Sequence, residues 1–281
     1  MQGRIASTRS ADFRSRSRST TIISGRRGEA PAPRSGEGGQ FPEDAHAAFR
    51  AIREGHFWFE TRKRALQEVL HRLMPQSEGR TLEIGCGDGY LLPVLPGRYK
   101  VGADASIREV LSARALTGIA SVVVTTGIPM PFKSTFSLVG AFDVIEHVED
   151  DMKFVRECAA TLVAGGLLAL TVPAWPSLWS HLDVYAGHYR RYRPKTLRSL
   201  LRAAALEIEL MVPLFRTLWP LAYLSARLRR NRRVADTAAE FSVGPLANRI
   251  LKTVLAAEWR SIGLLSFGRG TSLLAVARKH A

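Results

Sequence analysis

Three glycines occupy alternate positions in TLEIGCGDGYL, residues 81–91, directly after an apolar run with strand character. Glycine at this density lets the main chain turn through positive φ and lets a ligand lie against bare backbone. The spacing Gly85-x-Gly87-x-Gly89 departs from the Gly-x-Gly-x-x-Gly dinucleotide fingerprint, which argues against a nicotinamide cofactor. A second apolar run, YKVGAD, ends at Asp104, 21 residues after Glu83. A carboxylate at that point can accept hydrogen bonds from both hydroxyls of a ribose. Glycine turn and acid together point to a nucleoside held beyond the carboxyl ends of two neighbouring strands.

Such a cradle needs a sheet to carry it. Apolar runs with strand character fall at 81–85, 99–103, 121–125, 138–142, 166–172, 206–213 and 272–278. Helical patterns separate the first five, as at 107–117 and 150–163. This alternation predicts an α/β fold, with a mostly parallel sheet and helices on both faces. The last two runs are separated by about sixty residues of helical pattern, FRTLWPLAYLSARLRRNRR and PLANRILKTVLAAEWRSIGLL, which predicts a helical insertion over 214–268. Residues 45–78 read as helices preceding the first strand.

Charge is unevenly distributed. The net charge is +15, yet residues 41–186 carry 14 basic against 17 acidic side chains, whereas residues 187–281 carry 18 against 5. Residues 1–40 hold 8 basic and 3 acidic side chains, with much Ser, Gly and Pro and no apolar periodicity. They are expected to form a disordered basic tail, ahead of a domain spanning 41–281. A transit peptide or an upstream translation start would share that composition. Two cysteines imply no disulfide framework and fit a reducing, cytoplasmic compartment. No apolar run is long enough to span a bilayer.

LEIGCGDG, VGADAS, FSLVGAFDVIEHVEDD and LVAGGLLALTVPA, in this order, resemble the class I S-adenosylmethionine-dependent methyltransferases; the likeness covers about residues 55–213 and the final strand. It implies a seven-stranded sheet of order 3-2-1-4-5-7-6 with the last strand antiparallel, and S-adenosylmethionine as cofactor. Glu83, Gly85, Cys86, Gly87 and Gly89 would then line the methionine side. Asp104 would hold the ribose, with Ala105 and Ser106 beside the adenosine. Asp143 would face the sulfonium. Thr126 and Gly127 stand where family members commonly carry an adenine-binding acid, and Phe136-Ser137 stands where Phe-Asp is usual.

The likeness also places the acceptor beside the loop after the fifth strand. There His181, Asp183, His188 and Tyr189 fall within nine residues, followed by Arg190, Arg191 and Arg193. Proton removal from a hydroxyl needs a base titrating near neutrality, so His147, His181 and His188 are the catalytic candidates. The arginines could grip an anionic acceptor or open a solvated helix. In HFWFETRKR, residues 56–64, the aromatics could cap the sheet or form a lid with Arg62 near the methionine carboxylate. The seven histidines and two cysteines show no metal-ligand spacing, so no metal is expected.

The resulting expectation is methyl transfer, chiefly to oxygen, on a small-molecule, sugar or lipid-linked acceptor. The basic, apolar insertion could touch a membrane surface at the inner face. Nucleic acid is a less favoured partner, because the arginines lie outside the mildly acidic middle of the chain. A nucleic-acid-associated protein of the same fold, or a cofactor-binding scaffold without turnover, are the alternatives.

Overall fold

The computed structural model describes residues 50–74, 78–117, 121–125, 128–228, 243–261 and 268–280. The expected basic tail, Thr126 and Gly127 lie outside the described residues.

Strands β1 (Arg80–Ile84), β2 (Tyr99–Asp104), β3 (Ser121–Val124), β4 (Phe136–Phe142), β5 (Leu162–Pro173), β6 (Leu206–Leu214) and β7 (Ser272–Lys279) form one sheet, in the order β3-β2-β1-β4-β5-β7-β6. The first five run parallel, and β7 lies antiparallel between β5 and β6. Both the α/β class and the strand order agree with the sequence expectation. The order reverses at β1, whose neighbours are β2 and β4. A crevice opens at such a reversal, beyond the strands' carboxyl ends.

The helices are α1 (Phe57–Leu73), α2 (Ile107–Thr117), α3 (Asp151–Thr161), α4 (His181–Tyr185), α5 (Pro194–Ala203), α6 (Trp219–Leu228) and α7 (Pro245–Arg260). Residues 50–53 form a further helical segment. The central strands bury both faces, which is why they read as continuous apolar runs instead of alternating ones. Val139, Ala141, Leu168, Leu170 and Val172 join Phe154, Val155 and Cys158 of α3 and Leu197 and Leu201 of α5 in one layer. Leu138, Phe142, Leu167, Ala169, Leu274 and Val276 join Ala65, Leu66 and Leu70 of α1 and Leu255 of α7 in the other. Full burial of each large apolar side chain contributes about 1.5–3 kcal/mol, so these two layers hold the strand ends in place.

Candidate active site

Chemistry gathers beyond the carboxyl ends of β1, β2, β4 and β5. After β1 the chain turns through Gly85, Gly87 and Gly89 at φ of 68°, 52° and 82°. All three need the left-handed region, but their surroundings differ. A Cβ on Gly85 would sit 2.4 Å from Val144 Cγ2, and one on Gly89 would sit 2.7 Å from Thr117 Cγ2. These two are therefore glycines because the protein itself packs against them. At Gly87 the nearest atom would be Glu109 Oε2, 3.9 Å away, so here the bare main chain faces open space. Cys86 turns inward, buried with Leu92 and Ala113, and burial raises its thiol pKa. Only its main chain is available to a ligand.

Asp104 ends β2 and is half-buried. Its carboxylate accepts from the Gly87 amide at 2.9 Å and from the Ser106 amide at 2.9 Å. One acid thus ties the glycine turn to the start of α2, while lone pairs remain on both oxygens. Ser106 Oγ accepts from the Glu109 amide at 3.4 Å, and Ala105 is exposed beside it. Asp88, inside the glycine turn and buried, pairs with Arg50 at 2.9 Å and with Arg53, while Arg50 also reaches Glu109 at 3.0 Å. The helical segment 50–53 is thereby latched over the turn, a contact that the glycine motif does not announce.

Glu83 lies on β1, only 2% exposed, and its Oε2 has no hydrogen-bond partner among the described residues. Burial pushes its carboxyl well above the usual range, opposed by Arg62 and reinforced by Asp104 and Asp88. Asp143 follows β4 in the left-handed region, at φ 57°, where its amide donates to the Thr171 carbonyl at 2.9 Å. Thr171 Oγ1 donates to Asp143 Oδ1 at 3.1 Å, and Arg62 of α1 pairs with Oδ2. Burial lowers the Arg62 pKa to about 10, although Glu83 and Glu146 work against it. Its guanidinium lies 4.4 Å over the Trp58 ring. Trp58 in turn stacks on Phe215, and Phe59 is buried, so the aromatics of residues 57–59 pack against the sheet.

Beyond β4 and β5 the site is built from side chains. Ile145–His147 form a single 3-10 turn after Asp143, and Glu146 there is fully buried, its carboxylate oxygens hydrogen-bonded by nothing among the described residues apart from its own backbone amide. Burial pushes its carboxyl up to about 8, against a hydrogen bond from its own backbone amide and the pull of Arg62 and Arg191. The loop bearing His188 is pinned to this turn: the Tyr189 amide donates to the Glu146 carbonyl at 2.7 Å, and Tyr192 bridges Ala174 beyond β5. His147 and His188 consequently meet edge to face at a centroid distance of 4.7 Å. One ligand atom from each of Glu146, His147 and His188 lies within 4.8 Å of the others. Short-range spacing in the sequence gives no sign of this cluster, because 41 positions separate His147 from His188.

Asp183 organises this side. It is 1% exposed and completes the capping box of α4 with Ser180. Its Oδ1 accepts from His188 Nδ1 at 2.9 Å and from Arg191 Nε at 2.7 Å. Burial alone would raise this carboxyl, but Arg191 and His188 hold it down at about 2. An ionised carboxylate can only accept, so Nδ1 of a neutral His188 must carry the proton and Nε2 keeps its lone pair. His181 opens α4 and is not one of the three convergent residues. Arg190 pairs with Asp151 at 2.8 Å and Arg191 with Asp183, so both charges are met within the protein. Of the three arginines considered for an anionic acceptor, only Arg193 is exposed. Two surface hollows lie elsewhere: one, lined by Arg202, Glu207 and His280, is at the opposite edge of the sheet, and one, lined by Arg216, Glu258 and Arg269, opens beyond β6, where Arg269 lies 5.1 Å over the Trp175 ring that follows β5.

A sheet of this order, with a glycine turn after β1 and an acid closing β2, defines the nucleoside-binding fold of the class I methyltransferases. The sequence model of a family described as a methyltransferase domain matches residues 58–210. A probable S-adenosylmethionine-dependent methyltransferase of Mycobacterium tuberculosis is 28% identical over 211 residues, 73% of this chain and 70% of that protein. A ubiquinone biosynthesis O-methyltransferase of Rhizobium etli is 31% identical over 156 residues, 46% of this chain and 60% of its own. Among solved structures, a Haloferax volcanii methyltransferase in complex with the Trm112 activator superposes with a TM-score of 0.56 at 19% identity, covering 84% of this chain and 98% of that one. Geranyl diphosphate C-methyltransferase from Streptomyces coelicolor gives a TM-score of 0.51 at 17% identity, covering 76% and 74%. The chain belongs to the methyltransferase-domain family, and it is an S-adenosylmethionine-dependent methyltransferase.

The residues present fit that cofactor. Glu83 offers a buried oxygen lacking a partner, Gly87 offers open main chain, and Asp104 offers unused lone pairs beside it.

Proposed function

We propose that this enzyme methylates an oxygen atom of a small-molecule acceptor, a class that includes sugars and lipid-linked intermediates. S-adenosylmethionine supplies the electrophilic methyl group on a sulfonium. In this reading Glu83, the 85–89 turn, Asp104, Ala105 and Ser106 hold the cofactor, with Thr126 and Gly127 at the adenine. Asp143, locked between Thr171 and Arg62, presents its carboxylate where the sulfonium would lie. The observation that carries the choice of oxygen is the convergence of Glu146, His147 and His188, with Asp183 fixing His188 so that its Nε2 lone pair is available. Those groups provide a place for a hydroxyl proton to be given up, which oxygen requires before it can attack. His181 stays a weaker candidate because it lies outside the convergent set. The likeness to ubiquinone biosynthesis O-methyltransferases supports the same acceptor atom.

The test is incubation of the full chain with methyl-labelled cofactor and fractionated polar and lipid extracts, followed by mass spectrometry and NMR of the labelled product. Label recovered as a methyl ether or ester is expected; label on nitrogen or carbon overturns the assignment.

We further propose that the insertion rests on the inner, cytoplasmic face of an anionic membrane. Leu221, Leu224 and Leu228 form one exposed stripe on α6, and Leu246, Ile250 and Val254 form another on α7. The sequence between them carries Arg229, Arg230, Arg232 and Arg233. Exposed apolar stripes on two helices joined in sequence by an arginine run suit the lipid interface. No helix among the described residues is long and apolar enough to cross a membrane. Co-sedimentation with anionic but not neutral vesicles is expected; equal recovery in the supernatant with both removes the proposal.

A further inference from the structure

We propose that Glu146, His147 and His188 form a binding site for a first-row divalent metal ion, which activates the acceptor hydroxyl. This deepens the O-methyl transfer reading and rests on it. Four observations combine. One potential ligand atom from each of the three residues already lies within 4.8 Å of the other two. Metal bonds of about 2.0–2.2 Å hold ligand atoms roughly 3–4 Å apart, so the triangle needs to contract by only about 1 Å to close.

Glu146 is fully buried, and apart from its own backbone amide nothing among the described residues hydrogen-bonds its carboxylate oxygens. Ionising a carboxyl in that position costs stability unless a cation completes it. Arg62 and Arg191 are near enough to act on it electrostatically but make their ion pairs with Asp143 and Asp183 instead.

The third observation concerns His188. Its Nδ1 proton is held by Asp183 Oδ1 at 2.9 Å, which leaves Nε2 as the donor atom. A carboxylate behind a histidine in this way orients the ring and raises its basicity as a ligand. Asp183 is fixed for the task by Ser180 and Arg191. Fourth, the two halves of the site are joined through the backbone. The Tyr189 amide donates to the carbonyl of Glu146 itself, at 2.7 Å, so the ligands from β4 and from the loop after β5 keep one separation.

Two imidazoles and one carboxylate favour zinc, iron(II), cobalt(II) or manganese(II) over magnesium or calcium, which prefer all-oxygen shells. Three protein ligands leave coordination positions free. With the metal bound, the His188 Nε2 lone pair serves as ligand and not as base: an acceptor oxygen bound to the metal has its O–H acidified, and the proton passes to solvent. The oxygen keeps the bonding pair and uses it to form the new C–O bond, while the S–C bonding pair leaves with sulfur as a neutral thioether.

The experiment is a cobalt(II) titration of the full chain, stripped with chelator and followed by visible d–d absorption, with zinc competition and a magnesium control. About one equivalent of cobalt, displaced by zinc and not by magnesium, is expected. His188→Ala and Glu146→Gln should each weaken binding more than 100-fold, and Asp183→Asn by about 10–100-fold. His280→Ala, on an exposed side chain far along the sequence, should leave the stoichiometry unchanged. If the ligand variants do not fold, the wild-type melting temperature supplies the answer: zinc should raise it. No cobalt spectrum, an unchanged spectrum in His188→Ala and Glu146→Gln, or no zinc-induced rise overturns the site. A parallel calorimetric titration with S-adenosylmethionine separates the two claims. Cofactor binding without metal binding removes only the metal, whereas no cofactor binding removes the methyl-transfer reading beneath it.

Discussion

The two sides of the candidate site are made of different material. The turn after β1 presents main chain: φ-positive glycines, one of them open, tied down by a single acid at the end of β2. The side beyond β4 and β5 presents charged side chains, packed so tightly that Glu146 and Asp183 have almost no contact with solvent. Main chain cannot be mutated away and suits a ligand whose shape never changes. Buried side chains are replaceable one at a time, so in the proposed reading the acceptor side can change while the main-chain cradle stays the same.

The contrast can be broken first at the glycines. Gly85→Ala should cost about 2–5 kcal/mol of stability, since the added methyl must enter both a left-handed backbone and the space of Val144. Gly87→Ala should cost only about 1–2 kcal/mol, from the backbone alone, yet reduce cofactor affinity more than its stability loss suggests. Denaturant unfolding beside cofactor titration checks both; equal stability losses would mean that Gly87 faces no open space.

A smaller effect sharpens the same comparison through pH. The Glu83 carboxyl is raised in the folded state, mainly by burial. Its contribution is therefore complete below the unfolded value of about 4.3 and is lost as pH climbs toward the folded one. Glu83→Gln should remove that loss, gaining on the ligand-free wild type by on the order of 1.4 kcal/mol per pH unit within the window. Melting temperatures across the acid-to-neutral range provide the measurement. Parallel curves for the two proteins would show that Glu83 is solvated, not buried.

Much of the fold could be read in advance because its signals are local. Seven apolar runs mark seven strands, with edges displaced by a few residues, as at β5, which begins at Leu162 instead of 166. The glycine turn is contiguous, and Asp104 follows at a readable interval. What could not be read is where side chains point. Glycine type alone does not tell that Val144 and Thr117 fill two of the three gaps, nor that Cys86 faces inward. Arg190 and Arg191 looked available until their partners, Asp151 and Asp183, were brought beside them by the fold. The approach of His188 to Glu146 depends on contacts between distant loops, among them the backbone hydrogen bond from Tyr189 to Glu146, 43 residues away, and periodicity carries no trace of it.

The central claim is that cofactor binding rests on the carboxylate at the end of β2 acting with the open glycine. Calorimetric titration of S-adenosylmethionine into wild type and Asp104→Ala, each first shown to melt cooperatively, tests it most directly. The account predicts measurable binding by wild type and a loss of about 1–3 kcal/mol in the variant, which lacks the acceptor for the Gly87 and Ser106 amides and for the ribose. Equal affinity in the two proteins would contradict it.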